Sequence, residues 1–273
     1  MPEVIFNGAD GRLEGRYHHA SERDAPLAVV LHPHPLHGGT MNNRIVYDIY
    51  HMFVNRGFSV LRFNFRGVGR SQESFDHGQG ELRDAAAALD WMQLYNPNSK
   101  GVWVAGISFG AWIGMQLLMR RPEIQGFISA ALPANLYDFS FLAPCPSSGL
   151  IVNGDHDTLV TTESVEKLVE KLKLQRGLDM SLEIMPGADH FFTGCLDRLN
   201  GIIETYLDMR LAELADAPAA VTGGRRAAKA RVVDDQDDQD ESAASGENTA
   251  PAGDDQENDP VSNGEDRIAA SAG

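Results

Sequence analysis

Short apolar runs alternate with stretches of helical period along the first 217 residues of the chain. "PLAVVLHP" (26–33), "FSVLRFNF" (58–65), "GVWVAGIS" (101–108), "GFISAALP" (126–133) and "GLIVNGD" (149–155) are continuous and β-branched. That is the pattern of strands buried on both faces. Between them the period changes. Residues 45–54 carry apolar side chains at helical spacing, and "GELRDAAAALDWMQLY" is built from good helix formers. "TTESVEKLVEKLKLQ" sets Val165, Leu168, Val169 and Leu172 on one face, and "CLDRLNGIIETYLDMRLAEL" repeats the pattern with Leu199, Ile202, Ile203 and Tyr206. Strand and helix in alternation predict a mostly parallel sheet covered on both sides. "EVIFNG" and "RLEGRYHH", joined by "ADG", predict an antiparallel hairpin leading in.

The pattern stops near Ala217. Residues 218–273 hold no aromatic side chain and almost no large aliphatic one, so this segment cannot bury enough apolar surface to offset its ordering entropy. We expect two parts: a catalytic domain over 1–217 and a disordered acidic tail over 218–273. The charge divides the same way. Of the formal net charge of −16, residues 215–273 carry −9 and the preceding part −7. An acidic surface repels phosphates, so neither nucleic acid nor an anionic membrane is an expected partner. No apolar run approaches the roughly 18 residues of a membrane helix. The N-terminus has no basic start followed by an apolar stretch, as a secretory signal would. Two cysteines, Cys145 and Cys195, make no disulfide framework. A cytoplasmic protein is expected. A homodimer is left open, and nothing specifies a partner for the acidic tail.

One motif carries chemistry: "GISFG", Gly106 to Gly110, which is G-x-S-x-G. The pattern alone is weak. Its setting strengthens it, because "GVWVA" is a buried strand running in and "FGAWIGMQLLMRR" is a helix running out. A serine at such a strand-to-helix turn exposes its hydroxyl, and glycines are needed on either side for close packing. A serine alcohol needs a base, usually a histidine held by a carboxylate. Downstream strands supply both: Asp155 and Asp157 follow "GLIVNG", and His190 follows "SLEIMPGAD". Periodicity does not separate the two acids.

"HPHPLHGGTMNN", "FNFRGVGRS", "GELRDAAAALDWM", "GISFG", "NGDHDTLV" and "PGADHFF" occur in this order over about residues 1–210. The chain thereby resembles the α/β-hydrolase-fold serine hydrolases, and within them the small capless bacterial members with an H-P-H-P…G-G-T loop. The resemblance implies an α/β-hydrolase fold without a cap domain. It also implies a catalytic triad of Ser108, Asp157 and His190, with the acid three residues before Val160. It implies an oxyanion hole from the backbone N–H groups of Phe109 and a residue in the H-P-H-P loop. Pro33 and Pro35 have no N–H; His34 and Leu36 do, and alignment favours His34. No cofactor is implied.

The three histidines His32, His34 and His37 also suggest a metal, since imidazole is a common zinc ligand. Metallo-hydrolases with an H-x-H-x-D-H run have an acid where this chain has Leu36, so no metal is expected. His32 is expected to bond the loop backbone, and Arg66 and Arg70 to be structural. Only "ANLYDFSFLAPCPSS" separates the strand at 126–133 from the next, too short for a cap. Its Leu136, Tyr137, Phe139 and Phe141 line either the pocket or the core. The expected activity is hydrolysis of a small or short-acyl ester or thioester through an acyl-enzyme. The alternatives are a peptidase or amidase on the same fold, or a non-catalytic scaffold recruiting partners through the acidic tail.

Overall fold

The computed structural model describes residues 2–142, 144–175 and 177–216. The tail expected at 218–273 lies outside the described residues. Eight strands form one sheet in the order β1-β2-β4-β3-β5-β6-β7-β8. The hairpin comes first: β1 (Glu3–Asn7) pairs antiparallel with β2 (Arg12–His18), and β2 pairs antiparallel with β4 (Ser59–Phe63). From β4 onward every pairing is parallel, through β3 (Leu27–Leu31), β5 (Val102–Ile107), β6 (Ile124–Ala130), β7 (Gly149–Gly154) and β8 (Met180–Met185).

Alternation along the strands separates two cores. Leu27, Val29 and Leu31 of β3 face one side, Ala28 and Val30 the other. On the first side lie α2 (Gln79–Tyr95), α3 (Phe109–Leu118) and α4 (Thr162–Lys173); on the second, α1 (Arg44–Asn55) and α5 (Leu196–Asp216). The four residues at helical spacing in α4 divide: Val165, Val169 and Leu172 are buried, while Leu168 packs at the margin. The caps are local. Asn43 accepts from the N–H groups of Ile45 and Val46 to start α1. Glu81 reaches back to the N–H groups of Asp76 and Gly78 to start α2.

The chain steps from β3 to β4 on one side, then crosses to β5 on the other. The loops after β3 and β5 therefore diverge, and a crevice opens at their C-terminal ends. Between β6 and β7 no helical cap intervenes among the described residues, only one 3₁₀ turn at Ser140–Leu142. The sheet, its helical covering and the missing cap are those of the α/β-hydrolase fold.

Backbones meet closely at this crevice. A Cβ on Gly110 would lie 2.5 Å from the carbonyl oxygens of both Leu31 and His32. One on Gly106 would lie 2.5 Å from the Gly110 carbonyl. Gly110→Ala should therefore lower the thermal midpoint by the equivalent of at least about 2 kcal/mol, since rigid backbone lies on both sides. Gly201→Ala on exposed α5, with nothing within 4 Å of the added atom, should raise stability by about 0.5–1 kcal/mol. Calorimetry of the two variants checks the contrast.

Candidate active site

Each side chain here sits just beyond the C-terminal end of a strand. Ser108 follows β5 directly and takes φ 52°, ψ −120°, a strained conformation for a residue with a Cβ. Its N–H donates to the Ala130 carbonyl at 2.9 Å, tying the turn to β6. Its hydroxyl lies 2.9 Å from His190 Nε2. His190 Nδ1 lies 2.7 Å from Asp157 Oδ2. The other Asp157 oxygen accepts from the N–H groups of Leu159 and Val160, both at 2.8 Å. With Nδ1–H donating to the carboxylate, Nε2 is left as an acceptor for the serine hydroxyl. His190 and Asp157 are both buried. The structure thus brings Ser108, His190 and Asp157 into one hydrogen-bonded line.

Asp155 is not in this line. Its carboxylate accepts from the Gly187 N–H at 2.6 Å and braces the turn before His190. His156 is exposed, and its ring lies 4.0 Å from Asp155. The His190 loop is pinned further by Asp189, which accepts from the N–H groups of Phe191 and Thr193.

Phe109 is the first residue of α3, so its N–H lies beyond the reach of the helix ladder. Among the described residues the His34 N–H has no acceptor. The Leu36 N–H is taken by His34 Nδ1 at 3.2 Å. Of the two candidate donors in the H-P-H-P loop, only His34 keeps its N–H uncommitted.

His32 is fully buried and holds this loop to its neighbours. Nδ1 donates to the Pro33 carbonyl at 2.6 Å and Nε2 accepts from the Phe65 N–H at 3.0 Å. Burial pushes its pKa down to about 4. His34 is likewise lowered to about 4, by burial first and then by the nearby imidazoles of His37 and His77. Both rings are thus neutral at pH 7. Among the described residues no group of three or more His, Cys, Asp or Glu side chains could hold a metal ion. The His34 and His37 rings instead pack against each other, centroids 4.6 Å apart.

The two arginines behave differently. Arg66 is buried, bonded twice to buried Asp84 and once to Asp10. Arg70 is exposed and paired with Glu3. The aromatic link after β6 divides: Phe139 is buried and stacks on Phe141, Leu136 is exposed, and Tyr137 stacks on Trp112 with centroids 4.2 Å apart. Trp112, Phe75 and His77 also border the site, and sequence reasoning did not single them out. Phe75 packs on His34 and Phe109. The loop carrying it has positive φ at Glu73, His77 and Gly78. The signal available was the "HGQGE" start of α2 directly after an aromatic.

This fold and this serine, histidine and aspartate arrangement define the α/β-hydrolase class. The sequence model of the X-Pro dipeptidyl-peptidase (S15) family matches residues 16–164, and the chain belongs to this family of α/β serine hydrolases. It is 51% identical over 211 residues to an uncharacterised protein of Rickettsia prowazekii (strain Madrid E), covering 76% of this chain and 89% of that one. A protein of unknown function from Agrobacterium tumefaciens, proposed to be an α/β hydrolase, is 63% identical. Its structure matches with a TM-score of 0.77 over 78% of this chain and 97% of that one. An α/β serine hydrolase without a lid from Xanthomonas campestris is 32% identical, with a TM-score of 0.68 over 77% and 94%. No helix of the described residues is long and apolar enough to cross a membrane.

The low histidine pKa values set a sign for acid stability. Between pH 6.5 and about 4 the unfolded chain protonates His32 while the folded one does not. The unfolded state binds more protons there, so stability falls as pH falls through that window. His32→Asn should lower stability at pH 7.5 by disturbing the loop. It should also flatten the slope by up to about one proton, roughly 1.4 kcal/mol per pH unit. Chemical denaturation at a series of pH values measures it; an unchanged slope would show that folded His32 protonates there as the unfolded chain does.

Proposed function

We propose that the protein is a serine hydrolase that cleaves small or short-acyl esters or thioesters. The observation carrying this reading is the hydrogen-bonded line from Ser108 through His190 to Asp157. In the reaction Ser108 Oγ attacks the carbonyl carbon. His190 Nε2 takes its proton and returns it to the leaving alcohol or thiol. Asp157 holds the tautomer and stabilises the imidazolium. The N–H groups of Phe109 and His34 receive the oxyanion, each worth about 3 kcal/mol by analogy with other acyl-transfer sites. Water, activated by the same histidine, then attacks the acyl-enzyme and releases the acid. No step calls for a cofactor. Two free thiols, one of them buried, fit a reducing cytoplasm.

The peptidase reading has one observation in its favour, the X-Pro dipeptidyl-peptidase model over residues 16–164. Release of a dipeptide from a free N-terminus calls for an acid to bind the ammonium. The rings packed on Phe109 are His34, Phe65, Phe75, Trp112 and Tyr137, an apolar surround that suits an acyl chain.

A fluorophosphonate should add to Ser108, located by mass spectrometry of the peptide. An adduct elsewhere, or none on folded protein, removes the nucleophile assignment. Asp157→Asn should cut turnover of p-nitrophenyl butyrate by roughly 10⁴-fold, and Asp155→Asn far less; the reverse order would reassign the acid. Gly-Pro-p-nitroanilide should be turned over much more slowly than the ester, and faster cleavage would favour the peptidase. With no cap between β6 and β7, rates should peak at short chains. A preference for twelve or more carbons, or a jump at the micelle threshold, would count against an open site.

A further inference from the structure

Ser108 is followed along one stripe of α3 by Trp112, Gln116 and Arg120, each four residues on. That spacing keeps them on a common helix face with about 6 Å between steps. The turn continues past the helix end, since the Arg120 N–H donates to the Leu117 carbonyl at 2.9 Å. Facing this stripe are His77, Gly78 and Arg83 from the start of α2. With Trp112, Gln116 and Arg120 they line a groove of about 620 Å³. Gly78, at φ +95°, lets the loop lie flat on the indole, because a Cβ there would come within 2.3 Å of the Trp112 ring.

The groove's chemistry is one-sided. Its lining holds two guanidiniums and no carboxylate, in a chain of net charge −16. Arg120 forms no ion pair among the described residues, and one of its nitrogens donates to the Gln116 carbonyl at 2.9 Å. Arg83 shares Asp76 at 3.2 Å and Asp10 at 3.4 Å through a single nitrogen, which leaves further donors of its fork uncommitted. Two more donors on the wall lack acceptors: the Trp112 indole nitrogen and the Gln116 amide nitrogen are buried and unpartnered. An unmet buried donor costs about 1–3 kcal/mol. Two guanidiniums with donors to spare, in a lining without a carboxylate, select an oxygen anion over a cation or a bare alkyl chain.

We propose that this groove is a subsite for an anionic oxygen group, a carboxylate or a phosphate, carried at the far end of the hydrolysed substrate. The inference rests on Ser108 being the nucleophile. By the helix rise the Gln116 end of the groove lies about 12 Å along the axis from Ser108. The substrate's spacer crosses Trp112, whose other contacts are the stacked Tyr137 ring and Phe109.

Two matched pairs of substrates distinguish the sources. On the acyl side, the p-nitrophenyl monoester of sebacic acid is compared with its methyl-capped form. On the leaving-group side, butyryl-coenzyme A is compared with butyryl-N-acetylcysteamine. At low salt at least one anionic member should show kcat/KM about tenfold above its neutral match. Arg120→Gln and Arg83→Gln should bring that ratio close to one, as should 0.5 M salt, while Lys167→Gln on α4 should leave it unchanged. Ratios within about twofold in both pairs, or a preference that Arg120→Gln does not alter, overturn the proposal. Tryptophan fluorescence provides a readout without catalysis. Sebacate or inorganic phosphate should give a saturable change in the full chain that Trp112→Phe abolishes; no change for either overturns the subsite. If Ser108 takes no fluorophosphonate while the fluorescence change persists, the hydrolase reading fails and the anion site stands.

Discussion

The site depends on one steric constraint: backbone must touch backbone where α3 leaves the sheet. Gly106 and Gly110 leave no room for even one methyl between the first turn of α3, the turn before it and the end of β3. Three consequences follow. The serine between them is forced into a positive φ and its hydroxyl stands clear of the sheet. The N–H of Phe109 is carried up against the loop that begins at His32. The stripe of α3 that begins at Ser108 continues outward, so what lies along that helix is geometrically tied to the reacting bond. A side chain at either glycine would separate these groups by about the width of a methyl group, far beyond the tolerance of a positioned reaction.

Rigid loops around this turn come from buried polar groups. His32 spans from its own loop to Phe65, and Asn64 accepts from the Met41 N–H while donating to Glu14. The Glu14 carboxylate also accepts from the Arg70 N–H. Arg66 joins the segment after β4 to Asp84 on α2, and Gly80 lets α2 lie directly on its guanidinium. A buried ion pair adds little net stability, because desolvation offsets attraction, but removing one partner leaves a costly buried charge. Its service here is geometric. It fixes the start of α2, and with it the loop that carries Phe75 and holds Glu73 and His77 at positive φ.

The fold was legible because two periods alternate without ambiguity. β3, β4, β5 and β7 are buried along their whole length, and continuous apolar runs announce such strands. The nucleophile turn was legible for the same reason, being glycine-bracketed between a strand and a helix. The two aspartates were not separable by pattern, since both follow β7 within three residues. They part only in three dimensions, where Asp155 turns to Gly187 and Asp157 to His190. The aromatic link after β6 was equally opaque. Tyr137 and Phe139 are two residues apart, yet one stacks beside the site and the other enters the core, because the link has no period to assign faces. Trp112 read as one more apolar position in a helix. Its close contact with Gly78, at the start of α2, belongs to another element and leaves no mark on the period of α3.

An open site places a demand on the rest of the molecule. With no cap to close over the substrate, water leaves the reacting centre only where the substrate itself covers it, and the electrostatic advantage of a dry site depends on that coverage. Binding energy from parts of the substrate remote from the reaction can supply the needed hold and alignment. The rings near Ser108 offer apolar contact but few directional bonds. His34, neutral at pH 7, adds no charge there. Directional and charged contacts become available farther on, at Gln116 of α3 and Arg120 just past its end. On the proposed reading, a lidless hydrolase with this layout would discriminate less by enclosing the acyl group than by what a substrate carries beyond it. On that reading, the four-residue spacing that sets Trp112, Gln116 and Arg120 in line with Ser108 shares that discrimination with Arg83, which faces them from α2.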